Sequence, residues 1–335
     1  MTRAAERQGT PTLSVVVPNY NHARYLKAAL EAHLGQRAAP CEVIVVDDAS
    51  TDDSRAIVED VAARHAAVRL IRMARNGGVN AAINRGLREA RGDFVCFSAV
   101  DDLVSPDFVA RSLAILAKHP TAGIGFSDPA EMVGDSGVVQ QLPLRLRDRP
   151  SLIGPGDLER LLRHSWFSFP GHAVLYRRDA LLAIGGFDEG LRWYADWFAT
   201  CVLAFRHGAC YVPEVLAVFR VSPESYHAQG LRQTAVQRDL VFRILDLLQS
   251  ADFRDVAPAF RRSALIPELR ARVLVWLISS SRHRGYVTTR LAARLLARGV
   301  WWWLRSRVPG WVRPAARRLS FGWSRLASGG FRAGR

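Results

Sequence analysis

Short apolar runs alternate with longer stretches of helical spacing along the first hundred residues. The apolar runs are rich in β-branched residues and end in turn residues, and they cover 13–17, 42–46, 68–71 and 94–97. The segments between them carry apolar residues at helical spacing, over 23–34, from a cap at Ser50 or Thr51 to about 65, and over 79–90. This alternation predicts right-handed βαβ units and a parallel sheet.

Polar or turn residues follow each predicted strand and would face one crevice, where open α/β sheets bind ligands. Tyr20 offers a ring and a hydroxyl, Asp48 offers a carboxylate suited to an N–H of a pyrimidine base, and Asn76–Gly78 leads into a helix N-terminus that favours anions. NAD binding would need G-x-G-x-x-G directly after the first strand. Residues 18–21 read Pro-Asn-Tyr-Asn there, so we expect no dinucleotide site.

Two adjacent carboxylates, Asp101 and Asp102, follow the apolar run 94–97. Side by side they repel, so the pair favours a divalent cation such as Mg²⁺ or Mn²⁺, which prefers oxygen ligands. The alternative is a strand followed by an aspartate that caps a helix beginning at Pro106.

The segment 171–188 predicts a strand, a short helix and a Gly-Gly turn, and Asp196 follows it. Taken by itself, Asp196 is equally well explained as the N-cap of a helix over 197–207, because aspartate is a favoured N-cap.

Four segments, in their order and spacing, resemble the family 2 glycosyltransferases. They are VVVPNYN at 15–21, VVDDAS at 45–50, NGGVN at 76–80 and GDFVCFSAVDDLVSP at 92–106. The resemblance covers about residues 12–226. It implies the GT-A fold, a Rossmann-like, mixed, mostly parallel sheet flanked by helices. It also implies an enzyme that transfers a sugar from a UDP-, dTDP- or GDP-linked donor with inversion, using Mn²⁺ or Mg²⁺.

The resemblance assigns donor binding to a set of strand-end residues: Pro18, Tyr20, Asp48, Asn76 and Asp101. Asp101 matches the last acid of the family's Asp-x-Asp metal motif, whereas Ala99 stands where the first acid is usual. His227 is a second candidate metal ligand.

Asp196 matches the family's general base, which takes the proton of the acceptor hydroxyl as that oxygen attacks the anomeric carbon. The family usually has a Glu-Asp pair there, and Ala195 replaces the glutamate. Asp102, Trp193 and Tyr194 are candidate acceptor contacts, the two aromatic residues because aromatic faces suit sugar rings. Core packing explains the two aromatic residues equally well.

The formal net charge of +15 on 335 residues is concentrated at the C-terminal end. Residues 256–335 hold 17 arginines, no lysine and one acid, while residues 1–255 hold 29 basic and 30 acidic residues. Helical spacing begins near Thr234. We therefore predict a GT-A domain over 10–233, an Arg/Trp-rich helical extension over 234–308 and a basic, partly disordered tail over 309–335.

Basic amphipathic helices of this kind favour an anionic membrane surface. Nucleic-acid binding is one alternative for this region, although no recognised motif supports it, and packing of the apolar stripe on the core or on a second subunit is another. Residues 1–14 contain no apolar segment typical of a signal peptide, and the four cysteines show no CxxC spacing. We expect a cytoplasmic protein, peripheral on the inner face of the membrane.

The predicted function is transfer of a sugar to a hydroxyl of a saccharide, a lipid-linked glycan or a precursor of a surface polysaccharide or cell wall. Two alternatives stay open at this point. A non-catalytic nucleotide-sugar-binding or scaffolding relative would explain Ala99 and Ala195. A nucleotidyltransferase would also use a nucleotide-binding sheet and an acidic metal site.

Overall fold

The computed structural model describes residues 10–165, 167–267 and 271–307, with the backbone alone for 301–307. The chain divides into two compact units, which are described separately. The first unit is Met1–Pro155 with Phe169–Gln229, and the second is Gly156–Ser168 with Gly230–Arg335. The predicted basic tail, 309–335, lies outside the described residues.

A ten-stranded mixed sheet forms the centre of the first unit. Its strands are β1 (Leu13–Asn19), β2 (Glu42–Asp47), β3 (Val68–Arg72), β4 (Phe94–Phe97), β5 (Leu103–Val104), β6 (Ile124–Val133), β7 (Val139–Gln141), β8 (Ser151–Ile153), β9 (Val174–Arg177) and β10 (Ala209–Val221). The strand order is β3-β2-β1-β4-β9-β6-β10-β5, while β7 pairs with β6 and β8 with β10.

Most of the long strands run parallel. The pairs β3–β2, β2–β1, β1–β4 and β6–β10 are parallel, whereas β9 lies antiparallel between β4 and β6. This sheet confirms the predicted mixed, mostly parallel architecture. Parallel strands covered on both faces need apolar side chains throughout, and Val15, Val16 and Val17 of β1 are fully buried.

Helices flank this sheet. They are α1 (Ala23–Leu34), α2 (Ser54–Arg64), α3 (Val79–Glu89), α4 (Phe108–Leu116), α6 (Arg178–Ala183), α7 (Ala195–His207) and the short α8 (Tyr226–Gly230). Helix α3 packs closely on β1, since a Cβ at Gly86 would overlap the Val16 side chain. The missing side chain at that position lets α3 lie close against both β1 and β2, where Val46 is the second neighbour of Gly86.

Three predicted helix starts differ from the structure. Helix α2 begins at Ser54 after Asp53, because the Ser50 hydroxyl accepts a hydrogen bond from Asn21 instead of capping a helix. Helix α4 begins at Phe108, because Pro106 lies in a turn that the Ser105 carbonyl closes. Asp196 lies inside the first turn of α7 rather than at its N-cap, which is Tyr194.

The second unit is helical, which confirms the predicted C-terminal helices. It contains most of α5 (Pro155–His164) together with α9 (Thr234–Leu247), α10 (Ala257–Arg262), α11 (Arg272–Ser279) and α12 (Thr289–Arg307). Leu291 and Leu295 of α12 are fully buried. Between them Arg294 donates to the carbonyls of Leu162 at 2.7 Å and Ser165 at 2.6 Å, which satisfies groups at the end of α5.

Candidate active site

The loops after β1 and β2 are joined by side-chain hydrogen bonds at the carboxyl edge of the sheet. The Ser50 hydroxyl accepts from Asn19 Nδ2 at 3.1 Å and from the Asn21 N–H at 3.0 Å. In return, Asn21 Oδ1 accepts from the Thr51 N–H at 2.7 Å. The Tyr20 side chain, in the loop after β1, is 45% exposed. Its ring is therefore available to a flat ligand such as a nucleotide base.

A buried carboxylate, Asp48, holds the loop that leads into α3. Its Oδ1 accepts from the Gly77 N–H at 2.7 Å and its Oδ2 from the Gly78 N–H at 2.8 Å. Gly78 has a φ of +88°, a conformation that favours glycine. The exposed Asn76 also accepts from the Gly78 N–H, at 3.1 Å. Asp48 therefore shapes this edge of the crevice, a role that sequence reasoning missed, and its contact with a base stays a prediction.

Two neighbours complete this edge. Pro18 is half-buried in β1, where it pairs in register with Val46 of β2. Asp47 accepts from Arg55 Nε at 2.7 Å. Burial alone would raise the pKa of Asp47, but hydrogen bonds from Ser50 and Arg55 hold it below its ordinary value.

Arg220 of β10 holds the loop that carries the two adjacent aspartates. Its Nε donates to the Asp101 carbonyl at 2.8 Å, and its backbone N–H donates to Asp102 Oδ1 at 2.9 Å. The same guanidinium donates to the Gly134 carbonyl at 2.6 Å and to Asp135 Oδ1 at 2.5 Å. One arginine thus fixes the β4–β5 loop on β10. Sequence reasoning missed it because 118 residues separate it from Asp102.

The two aspartates are unequal in the structure. Burial raises the pKa of Asp102 to about 7, opposed by the Arg220 N–H and reinforced by the negative charge of Asp101. In the described part of the chain, no hydrogen-bond donor contacts the Asp101 carboxylate. Of the pair, Asp101 is therefore the carboxylate available to an external ligand.

Within the described residues, no three His, Cys, Asp or Glu side chains cluster as a ready-made metal site. Mg²⁺ and Mn²⁺ at nucleotide sites commonly use one or two carboxylates, with phosphate and water as the remaining ligands. The Asp101 carboxylate fits that arrangement. Ala99 supplies no ligand, so the chain itself offers fewer oxygens here than an Asp-x-Asp motif would.

The Asp196 carboxyl lies under Gly171. A Cβ at position 171 would come within 2.7 Å of Asp196 Oδ2, so the absence of a side chain there makes room for the carboxylate. Oδ1 accepts from the Trp197 N–H at 2.7 Å. Protein surrounds the carboxyl group although the residue keeps part of its surface exposed. Burial raises the pKa of Asp196, while the Trp197 N–H and the charge of His227 act against this rise.

A chain of hydroxyls fixes the first turn of α7. The Thr200 hydroxyl donates to the Asp196 carbonyl at 2.6 Å, and the Tyr176 and Thr200 hydroxyls lie 2.8 Å apart. His227, the second candidate metal ligand, is an exposed residue of α8 whose charge acts on Asp196. The hydrogen bonds hold Asp196 in place. Because burial raises its pKa, its carboxylate is a stronger base than that of an ordinary aspartate.

The aromatic residues before Asp196 are buried. Trp193 is 6% and Tyr194 3% exposed, and their ring centroids lie 6.0 Å apart. Trp193 also meets the ring of Tyr226 edge-on at 6.0 Å, and Tyr226 is 51% exposed. The acceptor contacts of Trp193, Tyr194 and Asp102 stay predictions. Tyr226 is the ring of this group that faces solvent, and no periodic pattern marks it in the sequence.

Comparison with known proteins identifies the family. The model of glycosyl transferase family 2 matches residues 14–185, which is half of the chain. An uncharacterized protein of Mycobacterium tuberculosis (strain CDC 1551 / Oshkosh) is 30% identical over 261 residues, covering 74% of this chain and 80% of the relative. A PGL/p-HBAD biosynthesis glycosyltransferase of Mycobacterium bovis is 29% identical, covering 82% and 99%.

A solved structure has a similar fold. It is a mannosyltransferase from Pyrobaculum calidifontis in complex with GDP-Man and Mn²⁺, with a TM-score of 0.56 and 24% identity, covering 95% of this chain and 86% of that one. The sheet matches the predicted GT-A fold, and the family match favours glycosyl transfer over the nucleotidyltransferase alternative. This chain is a glycosyltransferase and belongs to glycosyl transferase family 2.

Proposed function

We propose that the enzyme transfers a sugar from a nucleotide sugar to an acceptor hydroxyl with inversion at the anomeric carbon. The acceptor would be a saccharide, a lipid-linked glycan or a precursor of a surface polysaccharide. The observation that carries this proposal is that the Asp196 carboxyl lies directly against Gly171 and that burial raises its pKa.

Asp196 acts as the general base. Its carboxylate takes the proton of the acceptor hydroxyl while that oxygen bonds to the anomeric carbon, and the bond from this carbon to the nucleoside diphosphate breaks. A single displacement inverts the configuration and needs no protein nucleophile. A raised pKa strengthens the base, because proton transfer becomes more favourable as the pKa approaches the working pH.

The donor would lie along the ends of β1, β2 and β4. Tyr20 would pack on the base, and the loop that Asp48 holds would bound the same end of the crevice. Asp101 would hold Mn²⁺ or Mg²⁺, which when bound stabilises the negative charge of the departing diphosphate. The mannosyltransferase from Pyrobaculum calidifontis, a structure with GDP-Man and Mn²⁺, supports this class of donor.

A donor panel tests the proposal. The protein is incubated with UDP-, dTDP- and GDP-sugars, with and without Mn²⁺, and free nucleoside diphosphate is measured. We expect release from one donor, faster with Mn²⁺ and dependent on an acceptor. Donor binding without turnover across the panel would favour the non-catalytic alternative, which Ala99 and Ala195 support.

We further propose that the second unit rests on an anionic membrane. Val275 and Ile278 of α11 and Leu296 and Val300 of α12 are each more than half exposed. They belong to the arginine-rich part of the chain, whose charge suits anionic lipid. Among the described residues, no helix is both long and apolar enough to cross a bilayer. Surface binding on the cytoplasmic face would therefore bring the enzyme to lipid-linked acceptors.

Vesicle flotation tests this placement. We expect the protein to float with vesicles that contain phosphatidylglycerol and much less with phosphatidylcholine alone. A variant with Ile278→Asn and Leu296→Asn should float less. Val138→Asn, which changes an exposed valine of the first unit, is the control. Equal flotation of all three proteins would remove the membrane proposal.

A further inference from the structure

An arginine-lined groove lies at the outer edge of the sheet, beside the donor crevice. It encloses about 410 Å³ between the end of β3 and the outer face of α3. The charged residues that line it are Arg72, Arg75, Arg85, Arg88 and Glu189. The groove thus brings four positive charges and one negative charge to a single cavity.

The fold explains why these side chains meet. Arg72 is the last residue of β3, which is an edge strand, and Arg75 follows in the loop before α3. Arg85 and Arg88 lie one turn apart on α3, while Leu87 of the same helix is buried. The groove is therefore formed by a sheet edge and a polar helix face, and it uses none of the residues assigned to donor or base.

Two of the four arginines are already paired. Arg72 forms an ion pair with Glu59, and Arg85 forms one with Glu89 at 3.0 Å. In the part of the chain that the structure describes, no carboxylate pairs with Arg75 or Arg88. Residues 1–255 carry one more acidic than basic residue, so the positive charge is a local feature of the groove. Unpaired cations around one cavity are stabilised when an anion lies between them.

We propose that this groove binds a phosphate-bearing anion at a site separate from the donor site. The planar guanidinium pairs with phosphate through two parallel N–H donors, a geometry that lysine lacks. The cavity volume falls within the range of small-molecule sites, about 300–1,000 Å³, which suits a diphosphate or a short phosphodiester. The phosphate can belong to a soluble molecule or to a phospholipid headgroup.

Calorimetric titration with sodium pyrophosphate tests the site. The full chain is first freed of divalent cations by dialysis and is titrated without nucleotide. The groove variants keep every residue assigned to the donor site, so a loss of binding in them is a loss at the groove. We expect saturable binding that Arg75→Gln with Arg88→Gln weakens on the order of tenfold or more, since charge-assisted contacts are lost. The control is Arg91→Gln with Arg149→Gln, which removes the same charge from exposed arginines outside the groove and should change little.

Vesicle binding distinguishes the two sources of phosphate. If the groove double variant also binds phosphatidylglycerol vesicles less than the control does, the phosphate is that of a lipid headgroup. If the two bind vesicles alike, it belongs to a soluble molecule. The proposal is overturned if the unmodified chain shows no saturable pyrophosphate binding, or if both double variants weaken it equally. Because donor turnover is not measured, failure here is distinct from failure of the proposed reaction.

Discussion

Gly171→Ala should impair catalysis while leaving the fold in place. The added Cβ would lie 2.7 Å from Asp196 Oδ2, whereas ordinary van der Waals contact begins near 3.4 Å. The carboxylate or the backbone must then shift by about 0.7 Å. Gly171 does not have a positive φ, so alanine fits the local backbone and the clash with the base is the main effect.

The expected magnitude follows from that displacement. Misplacing a catalytic group by about 1 Å can cost on the order of 100-fold in rate, so we expect kcat to fall by about 10- to 100-fold. Overpacking of about 1–3 kcal/mol is partly offset by about 0.4–1 kcal/mol from the less flexible unfolded chain. The free energy of unfolding should therefore drop by only about 1–2 kcal/mol.

The assay is initial-rate release of nucleoside diphosphate at saturating donor and acceptor, together with thermal unfolding of each variant. Gly154→Ala is the matched control, because a Cβ there meets no atom within 4 Å. A Gly171→Ala enzyme with the kcat of the unmodified protein would refute the placement of the base. Equal losses in both variants would show that the effect is not specific to Asp196.

Three further predictions concern the base, the metal loop and the second unit. Burial raises the pKa of Asp196, and the protonated carboxyl cannot accept a proton. Log kcat/KM should therefore fall as the pH drops through that raised pKa. A pH–rate profile that is flat on its acid side would contradict this expectation. Arg220→Met should raise the Mn²⁺ concentration for half-maximal activity roughly tenfold, because the Asp101 carbonyl loses its donor, and Arg220→Lys should restore the metal dependence only partly. Unchanged metal dependence would argue against a role of Arg220 in positioning Asp101. Arg294→Met should lower the free energy of unfolding by about 2–5 kcal/mol, because the carbonyls of the buried residues Leu162 and Ser263 lose their donor. The exposed Arg290→Met should change it by less than about 1 kcal/mol in denaturant titrations.

The strands and helices of the first half could be predicted because their causes are local. Valine-rich runs and apolar residues at helical spacing located β1, β2, α1 and α3 to within a few residues. The antiparallel insertion of β9 between β4 and β6 could not be predicted, since strand order depends on packing between distant segments. The predicted start of α2 was wrong because Asn21 Oδ1 accepts from the Thr51 N–H, which keeps Thr51 in a hydrogen-bonded loop before the helix.

The site shows the same division between local and long-range causes. Motif spacing pointed to Asp48, Asp101 and Asp196, whose contacts stay open to test. The motif spacing did not indicate that the Asp48 carboxylate accepts from the N–H groups of Gly77 and Gly78, about 30 residues away. The Gly171 contact with Asp196 and the Arg220 contact with Asp101 also join distant segments. Neither hydropathy nor propensity encodes such contacts, because they arise only when the sheet is assembled.

The kinetics of Asp196→Asn test the central claim most directly. The substitution keeps the size of the side chain and an oxygen that can accept from the Trp197 N–H, but it removes the proton acceptor. We expect kcat to fall by a factor of about 100 to 10,000 with little change in donor KM, while Asp148→Asn, an exposed aspartate elsewhere, retains full activity. An Asp196→Asn enzyme that turned over at close to the unmodified rate would contradict the assignment of Asp196 as the base.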